Sequence, residues 1–394
     1  MRANVIVSGI LLCTALAACG DDGKSTTVVP PADLALAQRA YVVARDSDEL
    51  DVINLANFEI VGKVNTGGLS SHMAELNADF SKVYVSSPET NEVIVLDAKT
   101  LKEKARLPVG MHPTHMSLSP DGSFMAVMLE WDGAVSIIDV QNDTVKARIE
   151  GFVTPHFMRY SPDGKWGYVA NAGANRVTKV NLADFTVDSQ LTLDGIGADD
   201  PVADEGGFHD AQVDADGVLY AAHGASGRVL VYDTVHQQKM AELKVGAKPW
   251  IVYAQHPFKS IPHRYLVPNL GDRTVSRIDG VGLAVAGSLE GDEESYGVNY
   301  SSLAPDKAYV MNRVREDIAV VDTATGEITK RIPVGGNTET AATTADGKYV
   351  VAAVSGANKV VVIDAVTSEI VKTYDHMAAY PWSVTIPLGQ NYCH

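Results

Sequence analysis

Val93-Ile94-Val95-Leu96-Asp97 is one copy of a motif that recurs along the chain: a short apolar strand, an acidic or amide residue, then a turn. The other copies are Asp51-Val52-Ile53-Asn54, Val135-Ser136-Ile137-Ile138-Asp139, Val177-Thr178-Lys179-Val180-Asn181, Val229-Leu230-Val231-Tyr232-Asp233, Val275-Ser276-Arg277-Ile278-Asp279, Ile318-Ala319-Val320-Val321-Asp322 and Val360-Val361-Val362-Ile363-Asp364. Their final Asp or Asn residues fall 43, 42, 42, 52, 46, 43 and 42 residues apart. A constant period of about 40–45 residues made of strands is the signature of a propeller blade. Eight such units use nearly all of the 394 residues, so the length does not indicate several domains.

A second motif accompanies the first. Turns such as Ser119-Pro120-Asp121-Gly122, Ser161-Pro162-Asp163-Gly164 and Thr344-Ala345-Asp346-Gly347 precede an apolar strand in most repeats. Pro presets φ, the Asp side chain caps the turn, and Gly accepts a positive φ. The sixth repeat departs, with Gln255-His256-Pro257-Phe258. The first repeat lacks an inner strand, and the last has a surplus one in Tyr380-Pro381-Trp382-Ser383-Val384-Thr385-Ile386, which matches Lys248-Pro249-Trp250-Ile251-Val252-Tyr253. The expected fold is all-β, an eight-bladed β-propeller over residues 39–394, closed by the C-terminal strand completing blade one. Closure of this kind removes exposed sheet edges.

Residues 1–18 read as a lipoprotein signal peptide. Arg2 is a positive start, Val5 to Leu12 an apolar run too short to span a bilayer, and Leu16-Ala17-Ala18-Cys19 resembles a lipobox. Cys19 would carry the lipid, and residues 19–38, with Pro30-Pro31, form a flexible tether. Gly20 stands where an inner-membrane retention signal carries Asp, which favours the outer membrane. The expected location is the bacterial cell envelope, lipid-anchored and facing the periplasm, with the membrane as one partner and an envelope protein as another. The formal charge of −17 disfavours nucleic acid and favours cations. Only Cys393 remains as a free thiol in the mature chain, so no intrachain disulfide is expected.

Blade alignment orders the 11 histidines. His72, His156 and His209 each lie seven residues before the turn Asp of their repeat, and His115 lies six before its own. Four consecutive blades therefore start the inner strand with His, at the mouth of the central tunnel. Asn299 and Glu339 hold the matching place in later blades, with Trp250 and Trp382 one residue earlier. Neutral imidazoles suit Zn, Cu or a haem iron, so His72, His115, His156 and His209 are the candidate metal ligands, with Asp210 or Glu339 as an added carboxylate. Two acidic loops flank the same face and could gather cations: Asp194 to Glu205, an insertion marked by the 52-residue interval, and Glu290-Gly291-Asp292-Glu293-Glu294.

The repeats resemble YVTN-type β-propellers over about residues 38–390. A narrower resemblance rests on Phe208-His209-Asp210-Ala211, Leu219-Tyr220-Ala221-Ala222, Gly227-Arg228-Val229-Leu230-Val231-Tyr232-Asp233, Val245-Gly246-Ala247-Lys248-Pro249 and Pro268-Asn269-Leu270-Gly271-Asp272. These look like the eight-bladed haem d1 propeller of cytochrome cd-type nitrite reductases and of haem d1 biosynthesis proteins. That resemblance implies a tetrapyrrole cofactor, an iron-ligating role for His72, a distal role for His209 beside Asp210, and a second distal position that holds Asn269 here. No Cys-x-x-Cys-His occurs, so no covalent haem c is expected.

Three functions remain open from sequence. The first is a membrane-anchored propeller that binds a metal ion or a haem-like tetrapyrrole at the tunnel mouth, as a carrier or accessory protein. The second is a cofactor-free protein-interaction scaffold. The third is a redox or lactonase-like enzyme, for which the sequence assigns no nucleophile or base.

Overall fold

The structure, a computed structural model, describes residues 33, 35–202, 206–254, 258 and 262–392. The signal peptide, Cys19, most of the tether, part of the first acidic loop, Gln255-His256-Pro257 and Cys393-His394 lie outside these residues.

Eight antiparallel sheets form the ring. Blades 2, 3, 4, 5 and 7 each have four strands in chain order from the tunnel outward. Blade 1 takes its inner strand, Pro381–Thr385, from the C-terminus, with Val42 opposite Val384 and Tyr41 opposite Thr385. The closure expected from the surplus C-terminal repeat is therefore present. Blade 6 keeps three regular strands, and its inner segment is reduced to the bridges Pro249–Asn269 and Tyr253–Leu266. Eight apolar clusters, one between each pair of neighbouring blades, make up the core. The cluster between blades 8 and 1 joins Val351 and Val360 to Val42, Val384 and Ile386, so no interface of the ring is open.

The recurring Asp or Asn has a specific task. In all eight copies its Oδ1 accepts a backbone N–H two residues on, as Asn54 does from Ala56, Asp97 from Lys99 and Asp364 from Val366. The added backbone hydrogen bond from Thr100 holds the Asp97 carboxyl below its ordinary range, and those from Thr325 and Thr367 do so for Asp322 and Asp364. Four residues after each Asp or Asn the chain turns left-handed: Phe58, Leu101, Asp143, Phe185, Gln237, Leu283, Gly326 and Ser368 all have φ between 47 and 80°. Only one of these is glycine, so the Asx turn enforces a conformation that the other seven residues disfavour.

The C-terminus goes further than closure. After the inner strand of blade 1 it turns through Gly389 and adds Gln390–Asn391 as a fifth strand to blade 8, opposite Thr343 and Ala342. Gln390 Oε1 accepts the Tyr300 N–H at 2.7 Å, its carbonyl accepts Asn299 Nδ2 at 3.2 Å, and the Tyr392 hydroxyl donates to the Ala254 carbonyl at 2.6 Å. Blades 6, 7 and 8 are thus tied together across the tunnel, at the end of the inner strands away from the histidines.

Candidate functional site at the tunnel mouth

Strand register identifies the equivalent mouth positions. Pro113, Pro155, Phe208, Ser295 and Thr338 pair with the last residue of the next strand in blades 3, 4, 5, 7 and 8, as do Pro249 in blade 6 and Pro381 in blade 1. The residues that follow them are Thr114, His156, His209, Tyr296, Glu339, Trp250 and Trp382. In blade 2 the same place falls to His72, because Ala74 pairs with Val85 as Met116 pairs with Val127. Tyr296, rather than Asn299, is the blade 7 member. Blade 7 has a tight hairpin, Ser301 opposite Ala304, which shifts the count from the turn Asp. Trp250 and Trp382 stand at the ring position itself, not one residue before it. His115 is one residue beyond its ring position, yet its imidazole joins the ring.

These side chains form a belt around the mouth. His72 and His115 approach at 3.4 Å between their Nε2 atoms, and the His115 and His156 rings lie 4.1 Å apart. His209 packs on Trp250 at 4.0 Å, and Trp250 on Tyr296 at 5.3 Å. The Arg313 guanidinium stacks 3.9 Å over Tyr296 and forms an ion pair with Glu339. Glu339 accepts the Tyr380 hydroxyl at 3.2 Å, Tyr380 stacks on Trp382, and Trp382 returns to His72 at 5.7 Å. Arg45 covers Trp382 from the rim at 4.7 Å. The mouth is therefore walled by aromatic rings, with one ion pair set into the circle.

His115, His156 and His209 are all buried. Burial lowers the pKa of His156 to about 3 and that of His209 to about 4, so both are neutral at pH 7 with a lone pair ready for a Lewis acid. Three buried polar atoms of the belt lack a hydrogen-bond partner: His156 Nδ1, Trp250 Nε1 and Trp382 Nε1. Buried polar groups are normally satisfied, so orphans grouped at one mouth indicate a site shaped for something other than the chain itself.

The other sequence candidates lie elsewhere or are already engaged. Asp210 faces the tunnel below the belt, where its two oxygens accept Ala211 N–H and Gln212 Nε2 at 2.6 Å each. Asn269 pairs with Pro249 at the mouth end of blade 6; its amide donates to Thr274 and Ser276 at 2.9 Å, while its Oδ1 is buried without a hydrogen-bond partner. Among the described residues, acids of both loops pair with cations outside them: Asp199 with Arg176, Asp194 with Lys239, Glu293 with Arg273, and Glu294 with Arg313. Paired charges of this kind gather few cations.

Among the described residues, one group of three possible metal ligands has its donor atoms within 4.8 Å of one another, and it is not in the belt. It comprises Asp214, Asp216 and His263, on the opposite face of blades 5 and 6. The sequence signal for it was the Asp214-Ala215-Asp216-Gly217 turn beside a histidine of the next blade. Asp214 is largely occupied there, accepting Asp216 N–H, Val218 N–H and the Tyr265 hydroxyl, all at 2.9 Å.

Below the belt the tunnel wall carries Glu75, Arg159, Asp210 and Gln212. Burial pushes the Glu75 carboxyl up to about 7 and that of Asp210 to about 6, against the partly offsetting charge of Arg159. A carboxyl raised on folding gives stability below its unfolded pKa and loses it as pH rises through the folded value. Glu75→Gln is therefore expected to exceed the wild type in stability by about 1–3 kcal/mol at pH 8 and to match it at pH 4. Urea unfolding at both pH values measures this, and equal midpoints at pH 8 would refute it.

The fold and site define a closed eight-bladed propeller with an aromatic, histidine-bearing mouth. The YNCE-like β-propeller family profile matches residues 69–384, and the chain belongs to that family. Among solved structures, it is similar to the dihydro-haem d1 dehydrogenase NirN in complex with DHE (18% identity, TM-score 0.73, covering 92% of this chain and 78% of that one). It is also similar to apo AztD from Citrobacter koseri (13% identity, TM-score 0.63, 88% and 96% coverage) and to hydrazine synthase of Kuenenia stuttgartiensis (18% identity, TM-score 0.53, 77% and 94% coverage). At such identities the likeness is one of fold. No curated protein sequence matches the chain.

Proposed function

We propose that this propeller is a carrier or accessory protein that binds a haem-like metallo-tetrapyrrole at the tunnel mouth, anchored to a membrane through Cys19. One observation carries the reading: an aromatic-walled mouth whose buried, neutral imidazoles are not grouped as a three-donor chelate. A bare Zn or Cu ion needs three or four converging donors. A tetrapyrrole already supplies four nitrogens to its metal and asks the protein for one axial imidazole and flat apolar walls. His156 and His209 offer the imidazole, while Trp250, Trp382 and Tyr296 offer the walls. Arg45 stands at the rim for a ligand carboxylate. When bound, the group would supply redox-active or ligand-binding metal chemistry. The chain's own part is to hold it, orient it and exclude water.

The fold likeness to NirN, solved with DHE, supports the same class of ligand. The first strand of the ring, Arg39–Ala44, starts at the face opposite the mouth. A tether to a lipidated Cys19 would leave that opposite face, turning the mouth away from the membrane and towards a periplasmic partner.

Titration with haemin tests the reading. We expect saturable binding at one equivalent, a shifted Soret band, and a melting temperature that rises with ligand. Zn alone is expected to leave the melting temperature unchanged. A linear, non-saturating absorbance with no thermal shift would overturn the proposal.

A further inference from the structure

The tunnel beneath the belt contains a cation that the mouth does not use. Arg159 lies on the inner strand of blade 4, three residues below His156, and pairs with Tyr168 of the next strand. Its guanidinium stacks on Phe157 at 3.9 Å, which fixes the plane of the fork. Nε is buried without a hydrogen-bond partner. Among the described residues, no carboxylate oxygen comes within the 4.0 Å of an ion pair with it.

The charge of Arg159 reaches Glu75 on blade 2, Asp210 on blade 5, His156 and Tyr160 on its own strand, and Tyr392 of the C-terminal segment. Several of these are engaged elsewhere as well. Glu75 accepts Leu76 N–H, and Asp210 accepts Ala211 N–H and Gln212 Nε2. Tyr160 bonds Ser117, and Tyr392 donates to Ala254. Arg159 is partly buried and feels the Glu75 and Asp210 carboxyls, but its Nε–H is buried with no acceptor, and an unmet buried donor is costly. The fork of a guanidinium matches two oxygens of a planar anion. Residues 390–392 line blades 6–8 at the far end of the tunnel, opposite the histidine face.

We infer that Arg159 forms a subsite for one small planar oxyanion of the carboxylate class, held in the tunnel below the imidazoles. The anion is either free or the pendant carboxylate of the mouth ligand. The second source rests on the proposed function, and the first does not.

The test uses the full-length protein with sodium formate as probe, at constant ionic strength against chloride. Free binding is expected to saturate by calorimetry and to weaken at least tenfold in Arg159→Met, with Arg159→Lys intermediate. If formate does not bind but Arg159→Met weakens haemin binding about tenfold while leaving haemin dimethyl ester unaffected, the pendant source is established. Formate that binds the wild type and Arg159→Met with equal affinity would mean an adventitious ion only, and would overturn the subsite. So would a failure of both arms. Should Arg159→Met not fold, Arg159→Lys carries the comparison. Loss of haemin binding altogether would sink the mouth reading and leave the formate arm readable.

Discussion

His156→Ala is expected to weaken haemin binding by about 100-fold and to remove the shift of the Soret band. His156 stands between His115 and the His209 side of the belt, and it is neutral at every pH above about 4, because burial lowers its pKa to about 3. No competing proton has to be displaced before the imidazole donates. Losing a metal–ligand bond removes several kcal/mol, and two decades in affinity correspond to about 2.7 kcal/mol. The variant should fold, since the ring makes no hydrogen bond whose loss would strand a partner; His156 Nδ1 is already unpaired. His263→Ala, on the opposite face, is the matched control and is expected to bind haemin as the wild type does. An unchanged spectrum and affinity in His156→Ala would transfer the axial role to His209 or remove it from the belt.

Deleting residues 381–394 is expected to abolish cooperative folding. The deletion strips blade 1 of its inner strand and takes Trp382, Val384 and Ile386 out of two interblade clusters. Burial of three such side chains is worth about 6 kcal/mol. The cut also removes the Thr385 hydroxyl bond to the Ala74 carbonyl and the Trp382 carbonyl that accepts Thr340 Oγ1, which join blade 1 to blades 2 and 8. The total matches the whole stability of an ordinary domain. It also bares a flat strand edge, open to self-association. Circular dichroism should show no sharp melting transition, and size exclusion should show aggregates. A monomer that melts within a few degrees of the wild type would refute the closing role. The shorter deletion of 387–394 keeps the ring and removes only the segment across the tunnel, so it should fold with a modest loss.

Several features of the site were legible before any coordinates. The turn Asp gives a fixed ruler along each repeat, and β-pairing is local, so His72, His156 and His209 had to share a register. The ruler failed in blade 7, where a tight hairpin moves Tyr296 into the ring and sends Asn299 down to Gln390. Asn269, pointed to by the resemblance to haem d1 propellers, ends the second strand of blade 6 opposite Pro249 and gives its amide N–H to Thr274 and Ser276. The left-handed residue after every Asx turn carried no signal, because seven of the eight are not glycine.

By itself the sequence determined the number of blades, the strand that closes the ring and the sector that carries histidine. These follow from period and pattern, which act over tens of residues. Tertiary structure decided that His72 meets Trp382, that Arg313 occupies Glu339, that the chain end crosses the tunnel, and that Arg159 has no carboxylate at ion-pair distance. Those contacts join different blades, or residues from opposite ends of the chain. They depend on how the last blade meets the first and on where each side chain is free to point, and a one-dimensional repeat encodes neither.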